Sequence, residues 1–526
     1  MTPQLALFSS FIFTWWLFRR DRNLHPMPSL AAWIPLVWIF IIGSRSITDW
    51  LGTGGDNSVS PQISEGSPLD ATVYFVLIIG GGITLSKRKV NWSETFAENR
   101  WVFALFTYWL ISVFWAENPF VAIKRWVKDF GNIIMVMIIL TESDHIHAMK
   151  AIFLRYCYVA LPLSVVFIKY YPDLGRYLDS FLWEYAYCGI TTEKNALGAV
   201  SFVSGIFLVW NLFEMKEKNQ AKQIDKNTIS AAPVSLSRIK RKITPIASEQ
   251  SKIHSSVSSD RQQYRVTNEL RSVGKMDYLS HALLIFMVIW LIEKANSSTA
   301  LVCFIMGTGI ICILRSSFGK RQLKYLGLYC FIAVLLIVIL NMAPEITTSI
   351  LDMLGEDLTL TGRTDLWEQL LRTPINRLLG EGYQSFWGET EITSLIVEKL
   401  RLVFTPNQAH NGYLQTYLDG GLIAISLLFG LIITTALKLR RDVLLGEKYG
   451  ILCFTFLVLS VFYNWTEAMF NRLSLVWLIL LIAAMKYPRR DVFDLYKTVT
   501  NSNNNKSPYA ASYVSRQGLR SVNKSN

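Results

Sequence analysis

A single histidine, His410, lies in the motif QAHNGYLQTYLDGGL, where a polar segment runs into a long apolar one. The chain has 526 residues and only six histidines. An imidazole has an unperturbed pKa near ~6.5, so it can take a proton from a hydroxyl group at neutral pH. The simpler alternative is structural, because a neutral imidazole can also cap a helix or bridge two polar groups.

The residues around His410 carry many hydrogen-bonding groups. Asn411, Tyr413 and Gln415 follow the histidine directly, and Trp367 lies in the polar segment before it. A set of this kind at a membrane surface is typical of a sugar-binding cleft. We therefore predict that these four residues contact a sugar.

Arg363 lies in the same polar segment, in the sequence LTGRTDLWEQLL, at the predicted start of a helix. A cation is unfavourable at that end of a helix, so this placement indicates recognition of an anion. The alternative is a surface ion pair with Asp365 or Glu368, which would contribute little to stability. The local pattern leaves both open.

The elements that must position these side chains are membrane helices. The chain is 51% hydrophobic, with a mean hydropathy of +0.30, and its apolar residues occur in blocks. The sequence therefore predicts an all-α polytopic membrane protein with roughly 11–13 transmembrane helices. The apolar runs lie near residues 4–18, 29–43, 70–85, 100–114, 130–141, 150–168, 195–213, 279–292, 299–314, 325–341, 418–437, 449–463 and 472–485. The first run has no basic segment before it and no cleavage site after it, so we expect a retained helix.

Basic residues set the topology. The net charge is +13, and its clusters lie beside apolar runs, at 19–22, 87–89, 216–275, 315–324, 438–441 and 486–490. This is the positive-inside pattern, which predicts that these segments are cytoplasmic and argues against a nucleic acid partner. Alternation then places residues 342–417 on the exoplasmic side, where His410 is the only histidine. The orientation of the N-terminus stays open, because one short helix decides it.

Several cations run against this pattern on the exoplasmic side. Lys124 and Lys128 share one face of a predicted helix, while Arg125 could pair with Asp129. Charges at such a depth usually mark a substrate path, although snorkelling toward lipid phosphates is the alternative. A diphosphate would satisfy both lysines. Arg176 and Lys194 lie on the same side and are weaker candidates for the same ligand.

The predicted organisation has six parts. Residues 1–213 hold the N-terminal helices, 214–277 a disordered basic cytoplasmic loop, 278–341 the central helices, 342–417 a folded exoplasmic catalytic loop, 418–486 the C-terminal helices, and 487–526 a largely disordered cytoplasmic tail. The six cysteines fall mostly inside apolar runs, so no disulfide framework is expected. The exoplasmic loop has no Asp-x-Asp motif, so we predict no metal and no cofactor.

These motifs resemble a known family. GRTDLWEQLL, LLGEGYQSFW and QAHNGYLQTYLDGGLIAI are similar to the O-antigen ligase and polymerase superfamily of bacterial membrane glycosyltransferases. With WAENPFVAIKRWVKDFGN and VVFIKYYPDLGRY, the pattern is most similar to the exopolysaccharide-polymerase branch, and the resemblance covers residues from about 100 to 485. The long polar insert at 214–277 departs from the usual short loop.

The resemblance implies a metal-independent, GT-C-like enzyme in the bacterial inner membrane. Its donor would be an undecaprenyl-diphosphate-linked glycan on the periplasmic face, its acceptor a second glycan, and a chain-length regulator is a further candidate partner. His410 would be the general base and Arg363 would bind the diphosphate leaving group. We add Lys124, Arg125, Lys128, Lys194 and Arg176 as candidates for sharing that phosphate.

Two other functions remain open. A ligase would use the same donor and transfer the glycan to a lipid A core or to a protein. A transporter of lipid-linked sugars would have polar residues spread through the midplane and internal helical repeats, and the apolar runs show neither.

Overall fold

The computed structural model describes residues 2–24, 26–52, 67–179, 184–231, 274–329, 363–387, 391–399 and 406–488. Three predicted features lie wholly or largely outside these residues. They are most of the basic insert, the end of the apolar run at 325–341 with the start of the exoplasmic loop, and the C-terminal tail.

The N-terminal half is built of helices and one small hairpin. The helices are α1 (Pro3–Leu24), α2 (Trp33–Ile42), α3 (Ile47–Leu51), α4 (Pro68–Lys87), α5 (Trp92–Glu98), α6 (Arg100–Ser112), α7 (Pro119–Leu140), α8 (His145–Tyr170), α9 (Pro172–Gly175) and α10 (Lys194–Ala231). Strands β1 (Arg176–Asp179) and β2 (Glu184–Tyr187) pair antiparallel between α9 and α10. Short 3₁₀ turns precede α2 and follow α6.

The C-terminal half continues the helical pattern. Its helices are α11 (Lys275–Ala295), α12 (Ser298–Arg315), α13 (Ser317–Gln322), α14 (Arg363–Arg372), α15 (Glu391–Lys399), α16 (Gly412–Leu444), α17 (Lys448–Tyr463) and α18 (Leu475–Ala484). A 3₁₀ turn follows α13.

Six helices within the described ranges, α4, α8, α10, α11, α12 and α16, have the length and apolar composition needed to cross a bilayer. Four shorter apolar segments include α2, α6, α17 and α18. The prediction of an all-α polytopic membrane protein is therefore confirmed. The total of roughly 11–13 spans stays a prediction, because one predicted run extends beyond the described residues.

The core forms around α18. All ten of its residues are buried, as expected for a helix that is apolar on every side. Helices α7, α10, α16 and α17 pack around it. Helix α8 is also largely buried and packs against α1, α2, α10 and α11. The lipid-exposed helices, such as α4, carry their large apolar side chains on the outside of this bundle.

The structure corrects the first part of the predicted disordered loop at 214–277. Helix α10 continues past residue 213 as far as Ala231. Ion pairs support the first turn of this extension, because Arg315 at the end of α12 contacts Glu214 at 3.0 Å and Glu217 at 2.5 Å.

Helix α16 has a kink at Gly421, near its start, and the segment after α14 supplies carbonyl acceptors for the amides that the kink leaves without helical partners. Gly421 has φ +61° and ψ −161°, which no helical residue adopts. The amide groups of Leu422 and Ile423 donate to the carbonyl oxygens of Arg377 and Leu378, at 2.9 and 3.3 Å. A Cβ on Gly421 would lie 2.3 Å from the Leu378 backbone, so only glycine allows this contact. The amides of Glu381 and Gly382 also donate to the carbonyl oxygens of Leu418 and Asp419, so the GEGY motif is fixed to the DGGL motif of the helix that follows His410.

Candidate active site around His410 and Glu467

His410 lies immediately before α16, in an unusual backbone conformation. Its φ is +47°, in the left-handed region that non-glycine residues seldom adopt. Asn411 is the N-cap of α16, and its side-chain oxygen accepts from the amides of Tyr413 and Leu414 at 3.0 Å each. The histidine side chain is 31% exposed, so the imidazole is held by the protein and reachable from outside.

Glu467 is the centre of the site, and it was not among the predicted residues. Its side chain is only 4% exposed. Its carboxylate accepts hydrogen bonds from Asn195 Nδ2 at 2.8 Å, from Arg363 Nη2 at 3.1 Å and from His410 Nδ1 at 3.3 Å. Three segments that are far apart in sequence therefore meet at one buried carboxylate.

The loop between α17 and α18 places Glu467 there. Asn464 folds the loop back, since its Oδ1 accepts from the amides of Met469 and Phe470 at 2.8 and 2.9 Å. Its backbone carbonyl accepts from Gly412 N at 2.7 Å, which ties the loop to the start of α16. A Cβ on Gly412 would lie 2.2 Å from Asn464 Oδ1. The glycine after the His-Asn pair is thus required for this close approach.

The contact with Glu467 is one that would suit His410 to proton transfer. With a carboxylate as its partner, Nδ1 is the protonated nitrogen, and Nε2 then carries the lone pair. Such a carboxylate fixes the tautomer and stabilises the imidazolium that forms when Nε2 accepts a proton. The arrangement is that of a general base held by an acidic partner.

Arg363 is the first residue of α14 and turns away from its own helix. Nη1 donates to the Thr466 carbonyl oxygen at 2.5 Å, and Nη2 donates to Glu467. The alternative of a local surface pair does not describe this geometry, because Glu368 is paired with Arg372 at 2.5 Å. These contacts use two of the five N–H groups of a guanidinium, which places a cation beside His410.

Charged and polar residues at the start of α10 lie beside Glu467. Asn195 reaches Glu467 directly, and the neighbouring Glu193 interacts electrostatically with Glu467, His410 and Lys194. Burial raises the pKa of Glu193, and the charge of Glu467 raises it further. Lys194 precedes Asn195 and therefore lies at the edge of the His410 cluster, while the side of the membrane on which it lies stays a prediction.

The four predicted sugar-binding residues have partners inside the protein. Trp367 Nε1 donates to the Ala409 carbonyl oxygen at 2.7 Å, and Gln415 Oε1 accepts from Ala409 N at 3.0 Å. Tyr413 Oη donates to the Val461 carbonyl oxygen at 2.8 Å, while Asn411 caps α16. The hydrogen bonds of Trp367 and Gln415 hold Ala409, the residue before His410. A role of the four residues in sugar binding stays a prediction, because each has a hydrogen bond within the protein.

The cations of α7 lie in the first half of that helix. Arg125 donates to the carbonyl oxygen of Gln384, in the segment after α14, so it contacts that segment and not its neighbour Asp129. The ammonium groups of Lys124 and Lys128 lie 4.1 and 5.6 Å from the ring centroids of Phe120 and Tyr74. Their role in phosphate binding stays a prediction.

Arg176 has a structural arrangement. Its Nε and Nη2 both donate to the Ile168 carbonyl oxygen, at 3.2 and 3.0 Å, and its guanidinium lies over the Tyr187 ring. It thus ties the β1–β2 hairpin to the end of α8. No described contact brings Arg176 to the His410 cluster.

Glu467 and Asn195 were missed for different reasons. Glu467 is an acidic residue between two apolar runs, and the predicted topology that singled out His410 would have put it on the same side. Asn195 gave no such signal, because an amide at the start of an apolar run is common. Within the described residues, no group of three or more His, Cys, Asp or Glu side chains is placed to hold a metal ion.

Comparisons with known proteins identify a family model and a relative that are similar to this chain. Residues 282–429 match a family model described as O-antigen ligase, and the matched segment includes Arg363 and His410. The chain is 21% identical over 345 residues to the exopolysaccharide production protein ExoQ of Rhizobium meliloti (strain 1021). That match covers 64% of this chain and 65% of the relative, slightly less than two thirds of its length. Together the two matches support an O-antigen ligase/polymerase-like family for this polytopic membrane protein.

Proposed function

We propose that this protein is a GT-C-type membrane glycosyltransferase that polymerises exopolysaccharide or O-antigen repeat units. Its donor is a glycan linked to undecaprenyl diphosphate, and its acceptor is a hydroxyl group of another glycan. The observation that carries the proposal is the shared carboxylate of Glu467, which holds the base His410 and the cation Arg363 side by side.

The geometry supports the following reaction. His410 Nε2 takes the proton of the acceptor hydroxyl, and the resulting oxygen nucleophile forms a bond to the anomeric carbon of the donor. The bond from that carbon to the diphosphate oxygen breaks, and the diphosphate leaves with its electron pair. Arg363 shares the Glu467 carboxylate with the base, and Lys194 lies next to Asn195, which also contacts that carboxylate. A guanidinium suits a phosphate because it can donate two parallel hydrogen bonds. Positive charge from the protein fills the role that a metal ion has in other transferases.

The periplasmic face of the inner membrane is the side that we propose for this reaction. His410, Arg363 and Lys194 lie at helix ends opposite the basic clusters. Helix α16 starts beside His410 and ends in the cluster 438–441, and α10 starts at Lys194 and extends toward Arg315. By the positive-inside rule, the site is then exoplasmic.

A ligase is the second candidate, favoured by the description of the matched family model. A ligase and a polymerase share the donor, the base and the leaving group, and they differ in the acceptor. The named relative from Rhizobium meliloti is an exopolysaccharide production protein, which favours the polymerase.

Purified protein mixed with lipid-linked repeat units tests the proposal. A polymerase gives a ladder of lipid-linked oligomers and releases the lipid diphosphate. His410→Ala should abolish both products. His147→Ala is the matched control, because His147 lies in the first turn of α8 and outside the His410 cluster. Transfer to an added lipid A core without a ladder would identify a ligase. Movement of the lipid across a vesicle membrane without either product would identify a transporter.

A further inference from the structure

A second arginine, Arg472, lies in the loop that carries Glu467. Its Nε is buried and has no hydrogen-bond partner within the part of the chain that the structure describes. The preceding residue, Asn471, has φ +55°, and its side-chain Oδ1 is likewise buried without a partner there. Buried donors and acceptors are nearly always satisfied, so each such group needs an explanation. An anion that accepts from the Arg472 Nε–H would satisfy that donor.

Gln384 connects the Arg472 segment to Arg125. Gln384 Nε2 donates to the Asn471 carbonyl oxygen at 2.6 Å, and the Gln384 carbonyl oxygen accepts from Arg125 Nη1. Gln384 is itself left-handed, with φ +48°. Two residues in a costly backbone conformation therefore meet at this point, as is common where a structure holds a binding site in place.

Asp419 is a carboxylate that acts electrostatically on both arginines, and Glu193 acts on Arg472 as well. Arg472 interacts electrostatically with Asp419 and is repelled by Arg125. Asp419 also accepts from Gln415 Nε2 at 2.9 Å and from Phe386 N at 3.3 Å, so its oxygens already hold other groups. Burial lowers the pKa of Arg472, and the charge of Asp419 opposes that shift. An added anion would offset the cost of keeping two like charges half-buried near each other.

Glu193 links this pair of arginines to the base. It interacts electrostatically with Arg472 and also with His410 and Glu467. We propose that Arg125 and Arg472 form an anion subsite of the active site that binds a phosphate group of the lipid-linked donor. The inference rests on the proposed function, and it adds Arg472 to the binding residues. Arg363 then holds the side of the leaving group that faces His410, and the arginine pair holds the other side.

Binding of a short prenyl diphosphate to the purified full-length protein tests the subsite. The probes are farnesyl diphosphate, farnesol and glucuronate, and the variants are Arg472→Gln and Arg125→Gln. Arg440→Gln is the matched control, because the Arg440 guanidinium donates to backbone carbonyl groups at the cytoplasmic end of α16. Loss of one charge-assisted contact should raise the Kd for farnesyl diphosphate about tenfold and leave farnesol binding unchanged. Arg125→Gln should have the same effect, and it decides the matter when Arg472→Gln does not fold.

Three results would overturn the subsite. An unchanged Kd for farnesyl diphosphate in the arginine variants would remove the pair from phosphate binding while the donor stands. A loss of affinity in the arginine variants for glucuronate alone would assign the arginine pair to binding a sugar carboxylate. Wild-type protein without affinity for farnesyl diphosphate would overturn both the subsite and the proposed donor.

Discussion

The amide of Gly412 donates to the carbonyl oxygen of Asn464 at 2.7 Å, and this bond joins the start of α16 to the loop after α17. His410 lies two residues before the donor, and Glu467 lies three residues after the acceptor. One backbone contact therefore sets the distance between the proposed base and its acidic partner.

Glu467→Gln should lower the rate of glycan transfer about 10²–10⁴-fold, because a neutral amide neither fixes the tautomer of His410 nor stabilises its imidazolium. The rate with saturating lipid-linked donor is the measurement, at protein levels matched by immunoblot. Glu447→Gln is the control, since Glu447 is exposed at the other end of α16. Wild-type turnover in Glu467→Gln would remove the carboxylate from the mechanism.

Arg363→Lys should reach normal membrane levels and lose most of its turnover. Lysine keeps the charge, but it lacks the planar fork that contacts Thr466 and Glu467 together. Arg372→Lys tests a matched position on the same helix, where the side chain is 69% exposed and pairs only with Glu368 in the described structure. Equal turnover of Arg363→Lys and wild type would show that Arg363 does not act in the reaction.

Gly412→Ala should destabilise the protein by about 1–3 kcal/mol, because the added Cβ would overlap the Asn464 side chain and force the loop to shift. Thermal unfolding in detergent measures the effect, and activity should fall with it because Glu467 moves. Gly82→Ala is the control, since a Cβ there meets nothing within 4 Å. Equal unfolding temperatures in the two variants would contradict the tight contact.

Glu193→Gln should make the protein more stable at neutral pH. Burial raises the pKa of Glu193 in the folded state, so the folded protein binds this proton more tightly than the unfolded chain does. Its contribution to stability is therefore present below the ordinary pKa of a glutamate and is lost as the pH rises through the raised value. Unfolding temperatures from acid to neutral pH should show a smaller decline in the variant. A parallel decline in both proteins would exclude this linkage.

Hydropathy and charge order alone determined the class of this protein. Apolar blocks and basic flanks are local properties, because each helix must match the bilayer by itself and each loop obeys the positive-inside rule separately. The same local reasoning placed His410 and Arg363 on one side of the membrane, and the structure shows them at one carboxylate.

Only the tertiary structure decided what surrounds them. Glu467 contacts a histidine 57 residues away, and no period or motif in the sequence specifies that pairing. Side chains of the same type also have different contacts: Arg363 donates to Thr466 and Glu467, while Arg472 has a buried Nε without a partner in the described structure. The composition of a segment states which hydrogen-bonding groups exist, but only packing decides which of them the protein uses and which it leaves for a ligand.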